Sequence, residues 1–133
     1  MIIADTNVLL RAALDDDPDQ SRVARRQLAE ADAVAISLQS LCEFVWVMSR
    51  SYKLDSELIA NSVLNLINDE KVFCNREAAV AGLGFLLDGG DFADGVIAFE
   101  GYELGGKTFM TFDRKAASII RAKGRDCVLL AAE

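Results

Sequence analysis

Residues 1–10 read MIIADTNVLL, and the fold is organised around them. Residues 1–4 are apolar and include two consecutive isoleucines, the pattern of a short, fully buried strand. Asp5, Thr6 and Asn7 follow, and a second apolar run begins at Val8. A carboxylate at the carboxyl end of a buried parallel strand stands where open α/β sheets bind ligands. Aspartate is also a preferred helix N-cap. Asp5 therefore has two readings, cap or functional acid, and the rest of the chain has to decide between them.

Outward from this stretch, short apolar runs alternate with helical ones. Residues 6–14 read as a helical turn ending at Asp15-Asp16-Asp17-Pro18, with the aspartates as a solvated turn, Asp17 as a cap and Pro18 at the first helical position. The helix so begun runs to about Ala31 and carries a basic face of Arg22, Arg25 and Arg26. Residues 33–36 form a second strand. Ser37 caps a helix to about Ser51, in which Leu38, Leu41, Cys42, Val45 and Tyr52 make one apolar stripe while Phe44, Trp46 and Val47 cover much of the rest. A helix apolar on most sides is expected to be covered twice, by the sheet and by another helix or subunit.

Asp55 caps the next helix, with Leu58, Ile59, Val63, Leu66 and Ile67 inward, and residues 72–73 are a third strand. Asn75 caps a helix that stops at Gly89-Gly90, and Asp91 opens one to about Leu104, stopped by Gly105-Gly106. Residues 108–112 are a fourth strand, Asp113 opens a helix to Lys123, and residues 127–130 are a fifth strand. The alternation predicts an α/β fold, a parallel sheet of five strands between two layers of helices, built as one domain over residues 1–133.

The totals exclude several kinds of chemistry. No apolar run approaches the ~18 residues of a membrane span. The N-terminus lacks the pattern of a secretory signal, so a cytoplasmic location is expected. Cys42, Cys74 and Cys127 stand at unrelated spacings in apolar stretches, which predicts buried, reduced thiols. Histidine is absent, which removes serine–histidine and cysteine–histidine catalysis and most zinc sites. A net charge of −7 argues against non-specific nucleic-acid binding by the surface as a whole. It leaves room for a local basic rim, or for a site whose acids are neutralised by a metal.

Three acids occupy the same kind of place: Asp5 after the first strand, Asp113 after the fourth, and Asp94 in the first turn of a helix. Right-handed crossovers bring the carboxyl ends of parallel strands to one edge of a sheet. Capping remains an alternative for each, since Asp91 and Asp94 have capping-box spacing and Asp113 suits a plain cap. Glu43 does not fit a capping account. It lies inside a largely apolar helix, where a carboxylate should be paired or bound, and Arg50 is two turns away. Thr6, Asn7 and Thr111 add hydroxyl and amide groups near the same edge. Carboxylates that share a pocket without histidine or cysteine are stabilised by a hard cation, Mg²⁺ or Mn²⁺. A metal held in this way polarises a phosphate and activates water.

The DTN opening, the mid-helix glutamate after the second strand, DFADGVIA and TFD, in that order, resemble the PIN domain, and more narrowly the VapC-type toxins of bacterial toxin–antitoxin pairs. The resemblance covers nearly the whole chain. It implies a five-stranded parallel sheet of order 3-2-1-4-5 and a Mg²⁺-dependent ribonuclease that leaves a 5′-phosphate and a 3′-hydroxyl. It also implies RNA as substrate, a homodimer and inhibition by a cognate antitoxin protein. The family's four acids map onto Asp5, Glu43, Asp94 and Asp113, with Thr6, Asn7 and Thr111 as polar helpers. Asp5 and Asp94 would be direct metal ligands, with Glu43 and Asp113 completing the shell. Asp91 is a second candidate ligand in the third motif; Asp94 is preferred because it stands directly before Gly95 and the apolar Val96-Ile97-Ala98. Gly95 loosens that first turn relative to alanine.

Two rivals are weighed against this. A receiver-like Mg²⁺-binding signalling domain would want an acidic pair after the first strand and an aspartate after the third, where this chain has a single acid and Asn75-Arg76. A catalytically inactive interaction module of the same fold would not be expected to keep acids at all four positions.

Overall fold

β1 is Ile2–Ile3, and it pairs in parallel with β2, Val34–Ala35, Ile2 opposite Val34 and Ile3 opposite Ala35. β2 pairs in turn with β3, Val72–Phe73. In this computed structural model, which describes residues 1–132, the chain divides into two compact units, Met1–Arg76 and the stretch from Glu77 onward.

In the first unit each crossover begins with an oxygen-bearing cap. Asp5 Oδ1 accepts the Val8 N–H at 3.0 Å and starts α1, Thr6–Ala13. Asp17 does the same for Gln20 at the head of α2, Pro18–Glu30, with Pro18 in the first turn as its spacing requires. Asp15 and Asp16 form the exposed turn expected, and both also make ion pairs. Asp16 pairs with Arg11 at 2.7 Å and accepts the Tyr52 hydroxyl, while Asp15 pairs with Arg25 at 2.8 Å. Ser21, almost fully buried, donates its hydroxyl to Leu14 O at 2.6 Å. Lys71 places its ammonium on three carbonyls at the end of α2, Leu28, Ala29 and Ala31, at 2.7, 3.0 and 3.3 Å. A cation there faces the negative end of the helix.

Ser37 caps α3, Leu38–Arg50, and Asp55 caps α4, Ser56–Ile67. α1 packs on α2 and α3, and α3 on α4, around Leu9, Leu41, Phe44, Met48, Ile59 and Val63. Phe44 is fully buried, so it belongs to this core and not to a face left for a partner; Trp46 is 56% exposed.

The second unit holds α5, Arg76–Leu87; α6, Phe92–Glu103; β4, Thr108–Thr111; α7, Arg114–Ala122; and β5, Asp126–Leu129. β4 and β5 are parallel, from Thr108 opposite Asp126 to Thr111 opposite Leu129. The core is Phe85, Ala98, Ile119 and Ile120, with Tyr102, Phe109 and Cys127 against it. α5 and α6 meet at two glycines. A Cβ on Gly95 would lie 2.5 Å from Ala81 O, and one on Gly82 2.7 Å from the Phe92 ring. Gly95 is thus a contact residue, not a loosening of the turn.

The strands form two parallel sheets, three-stranded with β2 central and two-stranded, in place of the single five-stranded sheet of order 3-2-1-4-5. The neighbour relations 3-2-1 and 4-5 hold; the join of β1 to β4 does not. β1 is two residues long and exposed, Ile3 at 83%, not the fully buried strand that its apolar run predicts; its hydrogen bonds go to the second strand's side, Ile2 N–H to Ala33 O at 2.9 Å and Ala4 N–H to Ala35 O at 3.1 Å. The cysteines form no disulfide but are half-buried where burial was expected, and burial pushes the Cys74 thiol up against the opposing pull of Arg76. Among the described residues no helix is long and apolar enough to cross a membrane.

Candidate active site

The candidate residues fall into two sets, one in each unit. In the first, Asp5 ends the β1 stretch and caps α1 through a single oxygen, Oδ1. The next residue, Thr6, donates its hydroxyl to Glu43 Oε2 at 2.7 Å, and Gln39 Nε2 reaches Glu43 Oε1 at 3.5 Å from one turn earlier on α3. The glutamate in the apolar helix is therefore held, though on an exposed face, by a hydroxyl 37 residues away in sequence. Nothing in local spacing announces that bond. Asn7 stands apart from it, lining a groove of about 430 Å³ between α1 and α2 with Val8, Arg11 and Val23.

In the second unit, Asp91 and Asp113 are both caps. Asp91 Oδ1 accepts the Ala93 N–H at 2.8 Å, and Asp113 Oδ1 accepts those of Lys115 and Ala116 at 2.8 and 3.3 Å. Thr111 Oγ1 accepts the Asp113 N–H at 2.9 Å and so sets the turn from β4 into α7. Asp94 is half-buried in the first turn of α6. Burial raises its carboxyl above the ordinary value, and the negative charges of Asp91 and Asp113 raise it further. The cap of α6 is thus Asp91, and Asp94 is the acid whose ionisation its neighbours oppose.

The cap and acid readings are compatible at Asp5, Asp91 and Asp113, because each cap bond uses one carboxylate oxygen of two. Among the described residues, no three acidic or cysteine side chains converge as ligands for one ion. The donors present are carboxylates, hydroxyls and amides, the hard oxygens that suit Mg²⁺ or Mn²⁺ and not a softer metal.

The family model of the PIN domain matches residues 2–122, and the chain belongs to the PIN domain family. This membership replaces the receiver-like reading. Among solved structures the chain is similar to VapC20 of Mycobacterium tuberculosis, a toxin that cleaves the sarcin–ricin loop, at 16% identity over 99% of this chain and 100% of that one, with a TM-score of 0.46. No curated protein matches.

Proposed function

We propose that this PIN domain is a Mg²⁺-dependent endoribonuclease acting over residues 1–133 as one functional domain, and the toxin of a toxin–antitoxin pair. The observation that carries the reading is Asp94, half-buried and crowded by the charges of Asp91 and Asp113. Carboxylates gathered against their own repulsion, with no histidine in the chain, form a setting a divalent cation would relieve. Mg²⁺ or Mn²⁺, when bound, supplies positive charge to a phosphodiester and acidity to a water. Asp5 and Asp94 would hold it directly, with Glu43 and Asp113 completing the shell and Asp91 left to cap α6.

The remaining residues position these acids. Thr6 fixes one Glu43 oxygen through its hydroxyl, leaving the other toward Gln39. Thr111 fixes the backbone from which the Asp113 carboxylate departs. Asn7 is placed to contact whatever enters the α1–α2 groove. The substrate is RNA, and the expected partners are a cognate antitoxin and a second copy of the chain, to which Trp46 and Leu58, each 56% exposed, offer apolar surface. The cytoplasm is the compartment where such a substrate is met.

The test is purified protein on a pool of RNAs with Mg²⁺, with Mn²⁺ and with chelator. Cleavage that requires the metal and is lost in Asp5→Asn is expected. Intact RNA under all conditions would leave a non-catalytic PIN module.

A further inference from the structure

A second pocket lies wholly in the unit from Glu77 onward. It has a volume of about 430 Å³ and is lined by α5, α6 and the end of α7, with Gly84, Phe99, Tyr102, Lys123 and Arg125 among its walls and no carboxylate. Ligand pockets commonly have volumes of roughly 300–1,000 Å³. Both charged residues of the lining are cations, in a chain of net charge −7.

The local structure explains how they come together. Lys123 is the C-cap of α7, and Gly124 follows at φ +75°, a left-handed turn that glycine adopts without strain. That turn sends the chain back, with the Arg125 N–H bonded to Ile120 O at 3.2 Å. The Arg125 guanidinium then lies 4.2 Å from the centre of the Tyr102 ring, and the Lys123 ammonium 6.0 Å from that of Phe85. Lys123 has one acidic neighbour, Asp88, at 3.8 Å and outside the lining. The Tyr102 hydroxyl is buried and has no hydrogen-bond partner. A buried hydroxyl without a partner is disfavoured, so a polar group is wanted beside it.

We propose that this pocket binds a nucleotide, its phosphate between Lys123 and Arg125 and its base against Phe99 and Tyr102. Aromatic faces accept any base by stacking, and a guanidinium with an ammonium suits a phosphate. The nucleotide is either a residue of an RNA chain or a mononucleotide. That RNA supplies it rests on the nuclease reading; the chemistry of the pocket does not.

The test is carried out in chelator, so that no RNA is cut. Adenosine 5′-monophosphate and inorganic phosphate are titrated by calorimetry, and a labelled short oligoribonucleotide by anisotropy. Two variants accompany the wild type. Lys123→Gln with Arg125→Gln removes the charges. Gly84→Leu fills the pocket from a position where a Cβ meets only the Lys123 ammonium, at 3.6 Å, and where a helix gains from losing glycine. Gly84→Leu should keep the wild-type melting temperature or raise it, the double variant should lower it slightly through the lost Arg125–Tyr102 and Lys123–Asp88 contacts, and each should weaken binding at least about tenfold, the loss expected for a charged hydrogen bond. Binding of the oligonucleotide but not the monophosphate assigns the pocket to an RNA residue, and binding of both to a nucleotide in either form. Neither binding, equal binding by inorganic phosphate, or unchanged affinity in both variants overturns the proposal. RNA cleavage in Mg²⁺ by a protein that fails this assay would overturn the pocket alone, and pocket binding without cleavage would overturn the nuclease alone.

Discussion

Replacing Gly95 by alanine tests how α6, and Asp94 with it, is seated. The new Cβ would lie 2.5 Å from Ala81 O, 2.8 Å from Gly82 Cα and 2.9 Å from Phe85 Cδ1. The first two are backbone atoms of α5 that cannot rotate aside, and Phe85 is itself buried. Overpacking of this kind costs about 1–3 kcal/mol. Alanine returns up to about 1 kcal/mol over glycine within a helix. Contact with rigid atoms puts the cost at the upper end, so a net loss of about 2 kcal/mol is expected. Gly84→Ala is the control: the same change on α5, with the Lys123 ammonium at 3.6 Å as its contact, should stabilise by up to about 1 kcal/mol. Urea unfolding in chelator, at constant slope, measures both without a contribution from metal. Because Asp94 directly precedes Gly95, the shifted turn should also reduce RNA cleavage by more than the loss of folded protein explains. A Gly95→Ala protein as stable as the wild type, or matching Gly84→Ala, would refute the close approach.

Further outcomes follow from the same geometry. Asp94→Asn should lower RNA cleavage by about 10²-fold, the scale of losing a group that stabilises the transition state. Asp91→Asn should do less, since asparagine caps nearly as well. Single-turnover cleavage by the two variants decides the assignment, and a dead Asp91→Asn beside an active Asp94→Asn would reverse it. Folding raises the Asp94 carboxyl above its ordinary 3.8, so its charge burdens the native state at neutral pH, and that burden is relieved as pH falls through the raised value toward 3.8. In chelator Asp94→Asn should therefore be more stable than the wild type at pH 7, with the difference shrinking toward pH 3.8; a difference that grows on acidification would contradict this. Thr6→Val removes the hydroxyl that holds Glu43 and should slow cleavage with little change in melting, whereas Thr6→Ser should retain the rate.

Much of the fold was legible because its signals are local. Asp5, Asp17, Ser37, Asp55, Asp91 and Asp113 each read as a cap from the residues beside them, and each caps the helix expected. Alternation of strand and helix gave the parallel pairing of the strands, while the order implied by the resemblance holds only within each sheet. What was missed depends on partners distant in sequence. Asp15 and Asp16 are the exposed run they look like, but their partners Arg25, Arg11 and Tyr52 are not announced by local spacing. Phe44 and Trp46 are both large, apolar and outside the stripe read from the sequence, yet only the first meets the core. Gly95 reads as a weak point of a helix because its neighbour across the contact, Ala81, lies on another helix. The sheet was overestimated because an apolar run marks a strand without fixing how many ladder bonds it makes. At the site, the residue types, the acid–cap ambiguity at Asp5, Asp91 and Asp113 and the crowding of Asp94 by other acids were readable; the Thr6–Glu43 bond was not.

The central claim is that Asp5 and Asp94 serve one reaction. Its most direct test is single-turnover RNA cleavage in Mg²⁺ by wild type, Asp5→Asn, Asp94→Asn and the double variant. Residues that act as a unit give strongly non-additive losses. The account predicts that each single variant loses about 10²-fold or more and that the double variant is little worse than either. Losses that multiply in the double variant, or a single variant that cleaves at the wild-type rate, would contradict it.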